Sequence, residues 1–139
     1  MIRVVIDTNV FVSSFFSKKS PPFQIIDLWR KGHFILCLSA EVLDEYLAIL
    51  KRFKLEDKPE YEEFISGLKE FPNILFINDP RKKVQVSRDP HDNKFIDCAI
   101  HHKAKVVISG DKDLLTIGRY FEISFLTPRQ FLDRIEGQI

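Results

Sequence analysis

Val4-Val5-Ile6-Asp7-Thr8-Asn9 is the stretch on which the fold turns. Three β-branched residues in a row, with no polar residue alternating between them, suit a strand covered on both faces, as in the interior of a parallel sheet. Near the other end, Val106-Val107-Ile108-Ser109-Gly110-Asp111 repeats the pattern and again sets an acid just past the apolar run. In open α/β sheets ligands collect outside the carboxyl ends of the strands. Asp7 and Asp111 are therefore expected to share one crevice, and their matching placement points to a metal site.

Outward from these two stretches, strand and helix alternate almost throughout. A strand over 2–6 leads into an apolar helix over about 9–16, and Lys18-Lys19-Ser20-Pro21-Pro22 breaks the chain before a helix over 23–30 with Ile25, Ile26 and Trp29 at helical spacing. Gly32 ends that helix, and 34–38 reads as the next strand. Ser39 is a good N-cap for a helix reaching about Arg52, and Pro59 opens another that carries Tyr61, Phe64, Ile65 and Leu68 on one face, with Pro72 beyond its end. A short strand over 74–77 precedes a cationic loop over 79–90. A helix over 92–102, a strand over 105–109, a short helix after Asp111, a strand over 122–125 and a closing helix after Thr127-Pro128 complete the order. This alternation predicts an α/β protein: a three-layer α/β/α, Rossmann-like single domain over 1–139, with a mainly parallel central sheet and right-handed crossovers.

With 139 residues, 45% of them hydrophobic and 29% charged, the chain is the size of one globular domain and can bury a core without disulfides. Its net charge of +1 provides no global basic field of the kind that marks a dedicated duplex-binding protein, so any nucleic-acid contact has to be local. Cys37 and Cys98 are far apart and lack Cys-x-x-Cys partners, which argues against a thiolate zinc site and for two buried free thiols in a reducing compartment. No signal pattern opens the sequence, and no run approaches the ~18 apolar residues of a membrane span. A cytoplasmic protein with no membrane partner is the expectation.

Four acids stand out. Asp7 and Asp111 each sit between a strand and a helix, where an Asp commonly caps the helix by accepting a backbone N–H. Asp92 lies over the apolar stripe of its helix, formed by Phe95, Ile96, Ala99 and Ile100, so its carboxylate is expected to face inward, whereas Asp97 falls off that stripe and is expected to be solvated. Glu45 lies at the margin of a core face built by Val42, Leu43, Tyr46, Leu47 and Leu50, while Glu41 and Asp44 fall nearer its far side. Four such carboxylates in one crevice would repel one another unless a cation neutralised them, and hard oxygen ligands without His or Cys suit Mg²⁺ or Mn²⁺. An ion of this kind holds phosphate oxygens and acidifies water, which favours phosphodiester hydrolysis.

Four segments together resemble the signature segments of PIN-domain nucleases: Val-Ile-Asp-Thr-Asn-Val-Phe at 5–11, Ser-Ala-Glu-Val-Leu-Asp-Glu-Tyr at 39–46, Asp-Pro-His-Asp-Asn-Lys-Phe at 89–95 and Ile-Ser-Gly-Asp-Lys-Asp-Leu-Leu at 108–115. They cover nearly the whole chain in the right order and look most like stand-alone, VapC-like PIN proteins described as toxin components of prokaryotic toxin-antitoxin pairs. The resemblance implies a metal-dependent endoribonuclease acting on single-stranded or loop RNA. It implies Asp7, Glu45, Asp92 and Asp111 as the acidic set, with Asp7 and Asp92 as the principal Mg²⁺ or Mn²⁺ ligands, Asp111 completing the coordination, and Glu45 orienting or deprotonating the attacking water. Asn9 and Ser109 match supporting positions, and Asp113 a less regular extra acid. Ser109 stands where many relatives carry Thr, and His91 where an acid is frequent. A small antitoxin protein and homodimerisation, or a higher homo-oligomer, are implied as partners.

Lys18, Lys19 and Arg88 are candidate RNA contacts, and Arg81, Lys82 and Lys83 belong to the same group of loop cations, although ordinary solvated lysines and arginines look alike here. His101 and His102 have no ligand spacing to the acids and are expected to mark a helix end, where a cation is favourable. Phe15, Phe16 and the Tyr61, Phe64, Leu68 stripe are accounted for mostly by core packing, with a dimer or antitoxin surface as the alternative. A haloacid dehalogenase-type phosphatase would want a second Asp two residues after Asp7, where this chain has Asn9. An inactive PIN-like domain that binds RNA or protein without cutting is the remaining rival.

Overall fold

The computed structural model describes residues 1–79 and 90–137. In chain order its elements are β1 (Arg3–Ile6), α1 (Thr8–Ser13), α2 (Pro21–Arg30), β2 (Ile35–Ser39), α3 (Ala40–Arg52), α4 (Pro59–Glu70), β3 (Ile74–Ile77), a 3-10 turn (Pro90–Asp92), α5 (Asn93–His102), β4 (Val106–Ile108), α6 (Lys112–Ile117), β5 (Arg119–Tyr120), β6 (Ile123–Leu126) and α7 (Pro128–Glu136). The strands form one sheet in the order β3-β2-β1-β4-β6-β5. All neighbouring pairs are parallel except β5 with β6. Helices layer the two faces in the three-layer α/β/α arrangement anticipated from the alternation of elements.

β1 and β4 occupy the middle. Val4, Val5, Ile6, Val106, Val107 and Ile108 have no solvent exposure, as their unbroken apolar character requires. Their register pairs Ile6 with Ile108, and the Asp7 N–H extends the ladder by donating to the Ile108 carbonyl at 2.9 Å. From β1 the chain steps to β2 and β3 on one side and only later to β4 and β6 on the other, so the direction of winding reverses between β1 and β4. That is the position at which a doubly wound sheet opens a crevice at its carboxyl end.

Local chemistry sets the helix boundaries. Ser39 caps α3 by accepting from the Val42 N–H at 3.1 Å, and α3 buries Val42, Tyr46 and Leu50. Thr127 and Gln130 form a reciprocal capping box at the start of α7. Asn73 ties the interior together by donating to the carbonyls of Trp29 and Phe34, while the Trp29 indole N–H donates to the Asn73 carbonyl at 3.0 Å.

Several boundaries and environments differ from the sequence reading. The helix expected over 9–16 ends at Ser13 and continues as turns. There the Ser14 hydroxyl bonds the Phe11 carbonyl at 2.6 Å, a local bond that competes with the helical ladder. The short β5 was not anticipated: it turns back to β6 through Phe121 at φ 52°, without the Asn-Gly or Asp-Gly signal of a tight hairpin. Asp97 is buried, not solvated, because α5 packs against β1, β2, β4 and α3 and is covered well beyond a single stripe. His102 does end α5, but it is buried with a ring nitrogen 2.9 Å from the Leu38 carbonyl, and burial holds its pKa below the usual imidazole value. It is therefore not the solvated cation expected at that terminus. Cys37 and Cys98 are buried and unpaired, as anticipated. Among the described residues no helix is long and apolar enough to cross a membrane.

Candidate metal centre

Asp7 closes β1, and Asp111 follows β4 by three residues, so adjacent strands deliver both to the crevice between them. Asp92 arrives from the turn before α5, and Glu45 from the second turn of α3. These four acids line one cavity of about 210 Å³ together with Thr8, Asn9, Ile49, His91 and Phe95. Side chains separated by as many as 104 positions in the sequence thus meet in one place.

Three of the acids are also the N-cap residues of helices. Asp7 accepts from the Val10 N–H at 2.8 Å at the head of α1, Asp111 from the Asp113 N–H at 2.7 Å at the head of α6, and Asp92 occupies the N-cap position of α5. For Asp7 and Asp111 the capping explanation and the site explanation are therefore not rivals, while Asp92 makes no side-chain cap bond; three helix N-termini converge on the cavity, and their peptide dipoles favour negative charge there.

Asp7 is the most constrained of the set. Its Oδ1 is held by Val10, and its Oδ2 accepts from the Ser109 hydroxyl, which itself accepts from the Asp111 N–H at 2.9 Å. Ser109 has no exposure and links the two strand-end acids. Burial pushes the Asp7 carboxyl up from 3.8 to about 6; its hydrogen bonds to Ser109 and Val10 oppose the rise, and the charges of Asp111 and Glu45 add to it. A carboxylate buried this deeply beside other acids calls for a compensating cation.

Glu45 has acquired two partners that the sequence reading did not name. Lys94 makes an ion pair with Oε1, and the Thr8 hydroxyl donates to Oε2. The Lys94 side chain is only 10% exposed, lies over the Phe95 ring, and brings a fixed positive charge to the rim of an otherwise acidic cavity. Lys94 stands two residues after Asp92, but nothing in periodicity ties it to Glu45, 49 residues away.

Asp92, Asp111 and Asp113 can each place a carboxylate oxygen so that all three lie within 4.8 Å of one another. This all-oxygen donor set fits a hard divalent ion such as Mg²⁺ or Mn²⁺. It shares Asp92 and Asp111 with the trio Asp7, Asp92 and Asp111 anticipated as ligands, all three of which line the cavity. Asp113 joins because α6 begins beside it, and Asp7 turns its oxygens toward Val10 and Ser109 while lining the same cavity. Asn9 is exposed at the cavity wall. Lys18 and Lys19 are exposed on the turn after α1, outside the cavity lining, and Arg81, Lys82, Lys83 and Arg88 lie outside the described residues.

A family model described as PIN domain matches residues 3–113, a span that includes all four acids and Asp113. An uncharacterized protein of Methanocaldococcus jannaschii, MJ1680, is 33% identical over 144 residues, covering 97% of this chain and 92% of its own length. Among solved structures, the VapBC2 complex of Rickettsia felis, crystallised with a DNA fragment from its promoter, contains a chain of the same fold: TM-score 0.53 and 14% identity, with 91% of this chain and 98% of that one covered.

Proposed function

Because this chain belongs to the PIN-domain family, we propose that it is a metal-dependent endoribonuclease that hydrolyses phosphodiester bonds in single-stranded or loop RNA, and that it is the toxin member of a prokaryotic toxin-antitoxin pair. The observation that carries this reading is the convergence of Asp7, Glu45, Asp92 and Asp111 on one cavity at the switch point of the sheet, with Asp113 beside them. The shared fold with a chain of the VapBC2 complex supports an antitoxin as partner.

Asp92 and Asp111, with Asp7 or Asp113 completing the set, would hold Mg²⁺ or Mn²⁺. When bound, the ion supplies positive charge where the phosphate gathers negative charge, and it acidifies water. The residues of the chain do the rest. Ser109 and the Val10 N–H hold the Asp7 carboxylate in one orientation. Glu45, anchored by Thr8 and Lys94, retains lone pairs beyond those two contacts and takes the proton of the attacking water. Lys94 pairs with Glu45 and offsets the cluster's charge as a polyanion approaches.

The test is incubation of the purified protein with labelled tRNA, rRNA and mRNA panels plus Mg²⁺ or Mn²⁺. Cleavage that chelator abolishes, and that an Asp7→Asn variant with an unchanged circular dichroism spectrum lacks, is the expected result. Full activity of Asp7→Asn would overturn the assignment of the acids, and cleavage of no RNA by the wild-type protein would overturn the ribonuclease reading.

A further inference from the structure

α1 and α3 lie side by side and run in the same direction away from the acidic cavity. Thr8 meets Glu45 at the cavity, Phe11 stacks on Tyr46 with ring centroids 4.1 Å apart, and Phe16, just past the end of α1, meets Phe53 edge to face at 6.2 Å. Thr8 and Glu45 are 37 positions apart, and so are Phe16 and Phe53, so the two segments keep step from one pair to the other. Along α3, eight residues of helical rise from Glu45 to Phe53 at about 1.5 Å each put the aromatic pair roughly 12 Å from the Thr8–Glu45 contact.

The surface between is continuous. Asn9, Ser13 and Phe16 recur at helical spacing along one edge, and Glu45, Ile49 and Phe53 along the other; Asn9, Glu45 and Ile49 belong to the cavity wall itself. Phe16 and Phe53 are 58% and 54% exposed, so core packing does not account for them. They sit among cations: Lys18 and Lys19 follow Phe16, Lys51, Arg52 and Lys54 flank Phe53, and the Lys58 ammonium, which donates to the Phe15 carbonyl, lies 5.9 Å from the Phe16 ring centre. Within 16–19 and 51–58 six cations face two acids, a local net charge of +4 on a chain whose total is +1.

We propose that Phe16 and Phe53 form a stacking platform for a base of single-stranded RNA, a few nucleotides along the strand from the phosphate in the acidic cavity, with the surrounding cations pairing with its phosphates. Exposed aromatic faces set in positive charge are how proteins hold unpaired nucleic acid without reading its sequence. The positive charge also selects this occupant over an apolar protein segment. The proposal rests on the ribonuclease reading above and assigns the path of its substrate.

The experiment compares the wild-type protein, Phe16→Ala/Phe53→Ala and Phe16→Trp/Phe53→Trp by fluorescence anisotropy in EDTA, using fluorescein-labelled uridine dodecamer and trinucleotide. Thermal midpoints report that each variant is folded. The alanine pair is expected to bind the dodecamer about tenfold or more weakly and to lose most of the affinity gained on lengthening from trinucleotide to dodecamer, while the tryptophan pair retains that gain. Lys18→Ala/Lys19→Ala is expected to flatten the salt dependence of binding. Equal dodecamer affinity for wild type and the alanine pair overturns the platform. So does a fall in sedimentation mass on removing the rings, which would assign them to contact with a second copy. RNA cleavage by the wild-type protein with unchanged dodecamer binding by the alanine pair sinks the platform alone, whereas wild-type protein that neither binds nor cuts RNA sinks the ribonuclease reading with it.

Discussion

The buried carboxyl of Asp7 makes the stability of the metal-free protein depend on pH in a direction opposite to that of most surface acids. Its pKa is about 6 in the folded chain and 3.8 in the reference state, so between those values the folded state holds a proton that the unfolded state has released. Stability from this group is therefore fully present below about pH 4 and is lost as pH rises toward about 6. At ~1.36 kcal/mol per pH unit the loss amounts to about 3 kcal/mol, a substantial part of the total stability of a domain this size. Asp27 and His102, both held below their ordinary pKa values, pull the other way, so the wild-type profile alone would not isolate the effect. The comparison with Asp7→Asn does, since those groups are common to both proteins. The amide keeps an oxygen for the Val10 N–H, while its altered contact with Ser109 contributes an offset that does not vary with pH. Urea unfolding in EDTA should show Asp7→Asn gaining about 3 kcal/mol relative to wild type between about pH 4 and about pH 7, and Mn²⁺ should shrink that gain by stabilising the wild-type carboxylate. A stability difference that stays level across this range would refute the claim that Asp7 is an uncompensated buried charge.

Other consequences are open to measurement. Glu45→Gln and Lys94→Met should each lower stability, and the double variant should lose less than their sum; unfolding free energies around that cycle should give a coupling of about 1 kcal/mol, the modest size reflecting the partial exposure of Glu45. Burial pushes the Cys37 thiol up to about 12 and Cys98 higher still, so neither should react with a thiol reagent at pH 8 until denaturant is added, and prompt labelling of the native protein would contradict their placement. Asn73→Ala strips a donor from the carbonyls of Trp29 and Phe34. Because Trp29 keeps the Gly32 N–H as a second donor, the urea midpoint should fall by the equivalent of about 2 kcal/mol rather than twice that.

How much of this was legible in the chain depends on the range of the interaction concerned. The two central strands could be read because burial on both faces leaves only apolar side chains acceptable, and each run of Val and Ile records that constraint locally. The cap at Ser39 was readable for the same reason: donor and acceptor lie within three residues. The crevice followed from topology, since parallel strands side by side present their carboxyl ends, and whatever follows them, at one edge. Asp97 defeated the reading because stripe arithmetic assumes a helix covered on one side, and α5 is wedged against three strands and another helix. Lys94 was missed for a different reason. An ion pair across 49 residues leaves no period in the sequence, and a lysine beside an acidic motif reads as solvated until the fold brings Glu45 to it. Phe16 and Phe53 complete the contrast: Phe16 reads as core packing past an apolar helix, Phe53 carries no signal of its own, and only the parallel course of α1 and α3 turns them into an exposed pair. The residues that a sequence hides are thus those whose role depends on the angle between two elements, because one element's periodicity carries no record of its neighbour's direction.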